Sequence, residues 1–213
     1  MPKKSIFIAL SLLMAVFATL GAQDAPPEDG AEALRFKTNN RSLGDQSFAI
    51  SAGMTAPLFT VLLHDSTISG FSAGVHPTRL TVGGFGALSY NFYLNTNLKV
   101  GLEIGGSFQW DINRNILYMI PIVAQGSWEF HPGNRISIPV HLGLGINMSS
   151  WKENFMVDPI IRPGVGFSFD WSVEWSFGLD VRYWFIPQLN VSSKDQKSLG
   201  NFMDATLRAE YHF

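Results

Sequence analysis

From Gln46 onward, apolar side chains fall at every second position. Phe48, Ile50, Ala52, Met54, Ala56 and Leu58 share one parity, and so do Leu98, Val100, Leu102, Ile104, Phe108 and Trp110. The same rhythm closes the chain in LRAEYHF, with Leu207, Ala209, Tyr211 and Phe213 alternating with Arg208, Glu210 and His212. Period two places successive side chains on opposite faces of an extended backbone and therefore predicts strands. Eight are predicted, over about 46–59, 78–94, 98–110, 116–130, 136–148, 159–171, 174–186 and 201–213. Strands in soluble sheets average about 5–6 residues. A tilted strand needs about 9–11 residues to cross a bilayer core, and these are long enough.

The connections alternate in the same way. Asn95–Asn97, His131–Arg135 and the turn near Ser172–Val173 are short, as is Asp111–Asn115 on the other side, whereas 60–77, 149–158 and 187–200 read as longer loops. Short turns on one side and longer loops on the other fit an outer-membrane barrel. An even strand count puts both ends of the barrel on the short-turn side.

The contents of the two parities separate a membrane barrel from a soluble sandwich. The apolar parity carries no charge in any predicted strand. The other carries Arg79, Lys99, Glu103, Glu129, His141, Arg162, Asp170, Asp180, Arg182, Asp204, Arg208 and Glu210, along with Gly, Ser and Thr. Lipid outside and polar side chains inside account for this arrangement. Aromatics gather near strand ends, where one edge of the ring is wet and the rest apolar. Trp110, Trp128, Trp171, Trp175 and Trp184 are assigned to this interfacial girdle. The expected fold is thus all-β: an eight-stranded, up-and-down, antiparallel transmembrane β-barrel over 46–213.

The amino-terminal segment changes the picture of where the chain goes. Lys3 and Lys4 precede the uncharged run SIFIALSLLMAVFATLG, which ends in small residues at Gly21 and Ala22. That is the layout of a secretory signal peptide over 1–22. Residues 23–45 are polar and rich in Pro, Gly and Asn, and are expected to form a mostly irregular periplasmic lead-in. Cysteine is absent, which excludes disulfides, thiolate metal sites and a lipid-anchored amino-terminal Cys. Removing 1–22 takes the formal charge from −2 to −4, so nucleic acid has no electrostatic basis as a partner.

Counting up each strand from its short-turn end puts Glu103, Arg162, Asp180, Arg182, Asp204 and Arg208 at similar mid-heights, three acids with three bases. An eight-stranded interior is just wide enough for side chains to fill it, and isolated charges there would be costly. These six are expected to form one paired network. Small inward residues on the first two strands (Ala49, Ser51, Gly53, Thr55, Gly83, Ala87, Ser89) leave room for long Arg side chains or for a narrow solvent path.

The terminal alternation ending on Tyr211 and Phe213 resembles the signal read by the bacterial outer-membrane assembly machinery. The span from about 46 to 213 resembles the small eight-stranded barrels of the OmpA, OmpX and OmpW type. The resemblance implies residence in the bacterial outer membrane, contact with its lipids, and insertion by the assembly machinery through the last strand. No residue-level functional motif carries over. One departure stands out: the OmpW type has an apolar lumen, whereas this lumen carries mid-height charges.

Three functions remain open on these residues. The chain is a narrow passive channel for small solutes or a membrane-stabilising barrel with a charge-paired lumen. Alternatively it is a surface adhesion or binding protein using loops 60–77, 149–158 and 187–200. A remote third reading is a lipid-modifying enzyme built on His64, Asp65 and Ser66. His and Ser two apart on a strand project to one side, but no third partner is evident, so no enzymatic activity is expected. His76, His131, His141 and His212 show no metal-like spacing, and no P-loop or dinucleotide fingerprint occurs. No cofactor is expected, and no solute or surface ligand is identified.

Overall fold

A computed structural model of the chain describes residues 41–63, 73–151, 154–188 and 198–213. The expected signal peptide, most of the lead-in, and His64, Asp65 and Ser66 lie outside the described residues. Nine strands are present among those described: β1 (Gln46–Leu62), β2 (Gly74–Pro77), β3 (Gly83–Tyr93), β4 (Leu98–Trp110), β5 (Ile116–Phe130), β6 (Ile136–Trp151), β7 (Asn154–Asp170), β8 (Trp175–Gln188) and β9 (Ser198–His212). All pairings are antiparallel, each barrel strand joins its sequence neighbour, and β1 pairs with β9 to close the wall. Eight strands, β1 and β3 to β9, make the barrel. The short β2 pairs only with the top of β1, from Phe59↔Pro77 to Leu62↔Gly74.

Several limits differ from the sequence expectation: β1 runs to Leu62 and β2 forms within the expected loop 60–77, β8 and β9 extend into the expected loop 187–200, and two further differences have a physical reason. The second barrel strand, expected over 78–94, begins at Gly83. Pro77 has no N–H to continue a ladder, and Leu80 packs against the apolar cluster inside the barrel. The expected loop over 149–158 is instead a continuation of β6 and β7, paired from Asn147↔Asp158 to Trp151↔Asn154. Its residues are polar, but the ladder is made by backbone groups and does not need apolar side chains.

The two faces are sharply different. Outward positions hold large exposed apolar side chains in every barrel strand, such as Leu102 at 59% and Leu207 at 70% exposure. Inward positions are buried and mostly polar, from Ser47 and Ser51 to Arg208 and Glu210. Continuous exposed apolar surface of this extent is untenable in water. A closed barrel also leaves no strand edge, which lipid requires. The chain is therefore an integral membrane barrel turned apolar-out and polar-in, the outer-membrane architecture.

Aromatics mark the rims. At the lower end, which carries Gln46, His212 and the short turns, Trp175 and Tyr211 lie 5.1 Å apart and Tyr211 and Phe213 6.0 Å apart. At the upper end Phe108 and Trp110 meet edge to face at 5.1 Å. The seam between first and last strands finishes with a reciprocal pair: Gln46 N donates to Phe213 O at 3.1 Å, and Phe213 N donates to Gln46 O at 3.0 Å. Removing Phe213 forfeits only this last rung and one exposed ring. We expect the truncation to reduce insertion in cells far more than it lowers the unfolding midpoint of protein refolded in detergent. Equal loss in both measurements would contradict a role in recognition.

Candidate functional site in the barrel lumen

The lumen is built from cross-strand pairs of unequal size. Arg182 on β8 stands opposite Gly164 on β7 and opposite Asp204 on β9. Asp180 stands opposite Gly166, and Arg208 opposite Gly178. A Cβ on Gly178 would sit 3.1 Å from Arg208 Nη2, and one on Gly166 would collide with the Asp180 carboxylate. These glycines let long charged side chains lie across a neighbouring strand in an interior with little spare width.

The six expected residues all make ion pairs, but in two clusters rather than one. In the upper cluster Glu103 is shared: Arg162 Nη2 donates to its Oε1, and Arg182 Nη1 reaches its Oε2 at 2.8 Å. Arg182 also binds Asp204 through Nε at 2.9 Å and donates to Thr206 Oγ1 at 3.3 Å. In the lower cluster Arg208 lies 3.5 Å from both Asp180 and Glu210. Lys99 joins Glu129 at 2.8 Å to Glu210 at 2.9 Å, and His141 Nε2 lies 3.2 Å from Asp180. Ser47 Oγ donates to Glu210 at 2.6 Å. Across both clusters five acids face four bases and His141.

Lys99, Glu129, His141 and Glu210 were not among the six. Their inward parity was visible in the sequence. Counting residues up each strand ignores barrel tilt and the reach of Lys and Arg side chains, which join these lower residues to Asp180 and Arg208.

Trp184 is a second correction. Assigned to the interfacial girdle, it is instead fully buried in the lumen, with its indole Nε1 donating to Asp204 Oδ2. It shares inward parity with Asp180 and Arg182, and that parity overrides its nearness to a strand end. Trp110, Trp128, Trp171 and Trp175 are exposed on the outer surface. Trp184 and Phe85 meet edge to face at 5.3 Å. The Arg162 guanidinium lies 5.1 Å from the Trp184 ring and the Arg182 guanidinium 5.2 Å from Phe85. Aromatic faces attract cations, so these rings roof the upper cluster. They also join Ala87, Met119, Val123, Ile160, Ile186 and Phe202 in a buried apolar cluster.

Arg41 spans part of the lower rim. Arg41 donates to Val173 O at 3.0 Å and pairs with Asp170 at 3.5 Å. The cavity beside it, bordered by Tyr93, Glu129, Glu210 and His212, has a volume of about 10 Å³, room for roughly one water. Ser176 and His212 are hydrogen-bonded there, but His212 Nδ1 has no partner to orient the ring. The arrangement is that of a buried polar contact rather than an activated nucleophile.

Arg182 holds two carboxylates at once. Breaking a buried ion pair from one side leaves an uncompensated charge and costs about 3–5 kcal/mol. Arg182→Ala is expected to lower the heat-unfolding midpoint in detergent clearly; an unchanged midpoint would show that the pairs contribute nothing.

Comparison with known proteins fits this geometry. A protein-family model matches residues 27–211. An uncharacterized protein of Treponema pallidum is 24% identical over 209 residues, covering 96% of this chain and 93% of its own length. Another from Borreliella burgdorferi is 27% identical over 140 residues, covering 56% of this chain and 66% of the relative, just under two thirds. Among solved structures, Neisserial surface protein A superposes with a TM-score of 0.58 at 12% identity, over 80% of this chain and 97% of that one, and so shares the fold. The chain belongs to the family matched over residues 27–211, and its closed, lipid-facing eight-stranded wall makes it a small outer-membrane β-barrel protein.

Proposed function

We propose that this protein is a structural, non-conducting barrel of the outer membrane, with a lumen that serves as an ionic core and carries no solute. One observation carries the reading: Lys99, Glu103, Arg162, Asp180, Arg182, Asp204, Arg208 and Glu210 are each at most 8% exposed and are paired with one another. A permeation path lined by charges keeps them hydrated. Here their partners are side chains, and the apolar cluster around Phe85 and Trp184 stands over them.

On this reading the partners are the surrounding lipids, met by the apolar exterior and its aromatic rims, and the assembly machinery, met through the strand ending on Tyr211 and Phe213. On this reading no enzymatic role is assigned; the Ser176–His212 contact supports that, since His212 Nδ1 has no partner to orient the ring. Planar-bilayer recording tests the reading. The purified full chain is expected to leave the membrane silent under applied voltage. Discrete, reproducible conductance steps would overturn it in favour of a narrow channel.

A further inference from the structure

One inward carboxylate of β7 has no ion pair among the described residues. Asp158 lies on β7, four residues below the first residue of that strand, faces inward, and is 2% exposed. Among the described residues no Lys or Arg pairs with it, and its Oδ2 has no hydrogen-bond partner. Directly across the ladder on β6 stands Asn147, and Ser149 lies two positions further up β6 on the same face. Asn147 Oδ1 and Ser149 Oγ are equally buried and equally without partners.

Register brings these three side chains together. Directly opposed residues on an antiparallel pair have Cβ atoms about 4.5–5.5 Å apart, and diagonal neighbours about 7–8 Å. Asn147 and Asp158 are opposed, and Ser149 is diagonal to Asp158. Buried polar atoms in folded proteins are nearly always satisfied, and a buried carboxylate without counter-charge is costly. Asn147 Oδ1 and an ionised Asp158 Oδ2 can only accept hydrogen bonds. Two unpartnered acceptors at paired positions call for a donor or a positive centre beside them. A carboxylate, an amide carbonyl and a hydroxyl are hard oxygen donors, the ligand chemistry of calcium-class ions.

We propose that Asp158, Asn147 and Ser149 form a calcium-class divalent-cation site in the upper lumen, completed by water. With a single carboxylate, its affinity falls in the weak range of extracellular calcium modules, about 10⁻⁴–10⁻³ M. The site lies above the ionic core and is independent of whether the lumen conducts.

The test uses the full chain refolded in detergent, stripped with chelator and then titrated with calcium chloride. Bound radioactive calcium is measured by equilibrium dialysis and the heat-unfolding midpoint is followed in parallel. The wild-type chain is expected to bind a single calcium and to gain thermal stability in millimolar calcium, as ligand linkage requires. Asp158→Asn is expected to lose both responses while being more stable than wild type in chelator, because it removes an uncompensated charge. Absence of binding by the wild type, or retention of the response in Asp158→Asn, overturns the site. Should Asp158→Asn fail to fold, Ser149→Ala decides: several-fold weaker binding supports the proposal, and unchanged binding overturns it.

Discussion

The pairing of Arg182 with Glu103 and Asp204 is the interaction on which the rest of the barrel depends. A closed eight-stranded wall leaves a narrow interior, and this one carries charges that are almost wholly buried. Each ion there has lost several kcal/mol of hydration, and those of the two clusters each stand within 3.5 Å of an opposite charge. Arg182 satisfies two carboxylates, Arg162 completes Glu103, and Trp184 completes Asp204. The glycines at 164, 166 and 178 follow from the same demand, since a side chain at those positions would occupy the space of the ions.

The exterior obeys the opposite rule with the same strands. Every second residue must be apolar to stand in lipid, and closure of β1 on β9 must leave no backbone donor or acceptor facing hydrocarbon. The ladder from Ser47↔His212 to Leu62↔Ser198 meets that demand, with one irregularity between Pro57 and Phe59 where proline cannot donate. Lipid outside and ionic contacts inside therefore act on alternate residues of one chain, which is why the alternation is so regular.

That regularity made most of the fold legible. Parity alone told lipid-facing from lumen-facing residues, and it placed Glu103, Arg162, Asp180, Arg182, Asp204 and Arg208 inside. It failed where a second rule was allowed to compete. Trp184 was assigned by its nearness to a strand end although its parity matched Arg182. The polar stretch 149–158 reads as a loop in the sequence although it continues two paired strands, and so Asp158 is hidden as a lumen residue. Which ions pair depends on strand tilt and side-chain reach across the lumen. Neither is written in the linear order, so Lys99 and Glu210 were missed as members of the lower cluster.

A double-mutant cycle on Arg182 and Asp204 tests the central claim, that paired charges form the core of this barrel. Arg182→Met, Asp204→Asn and the double variant are compared with wild type by chemical unfolding from detergent, the Asn retaining an acceptor for the Trp184 indole. The account predicts that the double variant is more stable than the sum of the single losses, with a coupling of about 1–3 kcal/mol. Single effects that add to within about 0.5 kcal/mol would mean that the two groups stand in the lumen without depending on each other, and would contradict it.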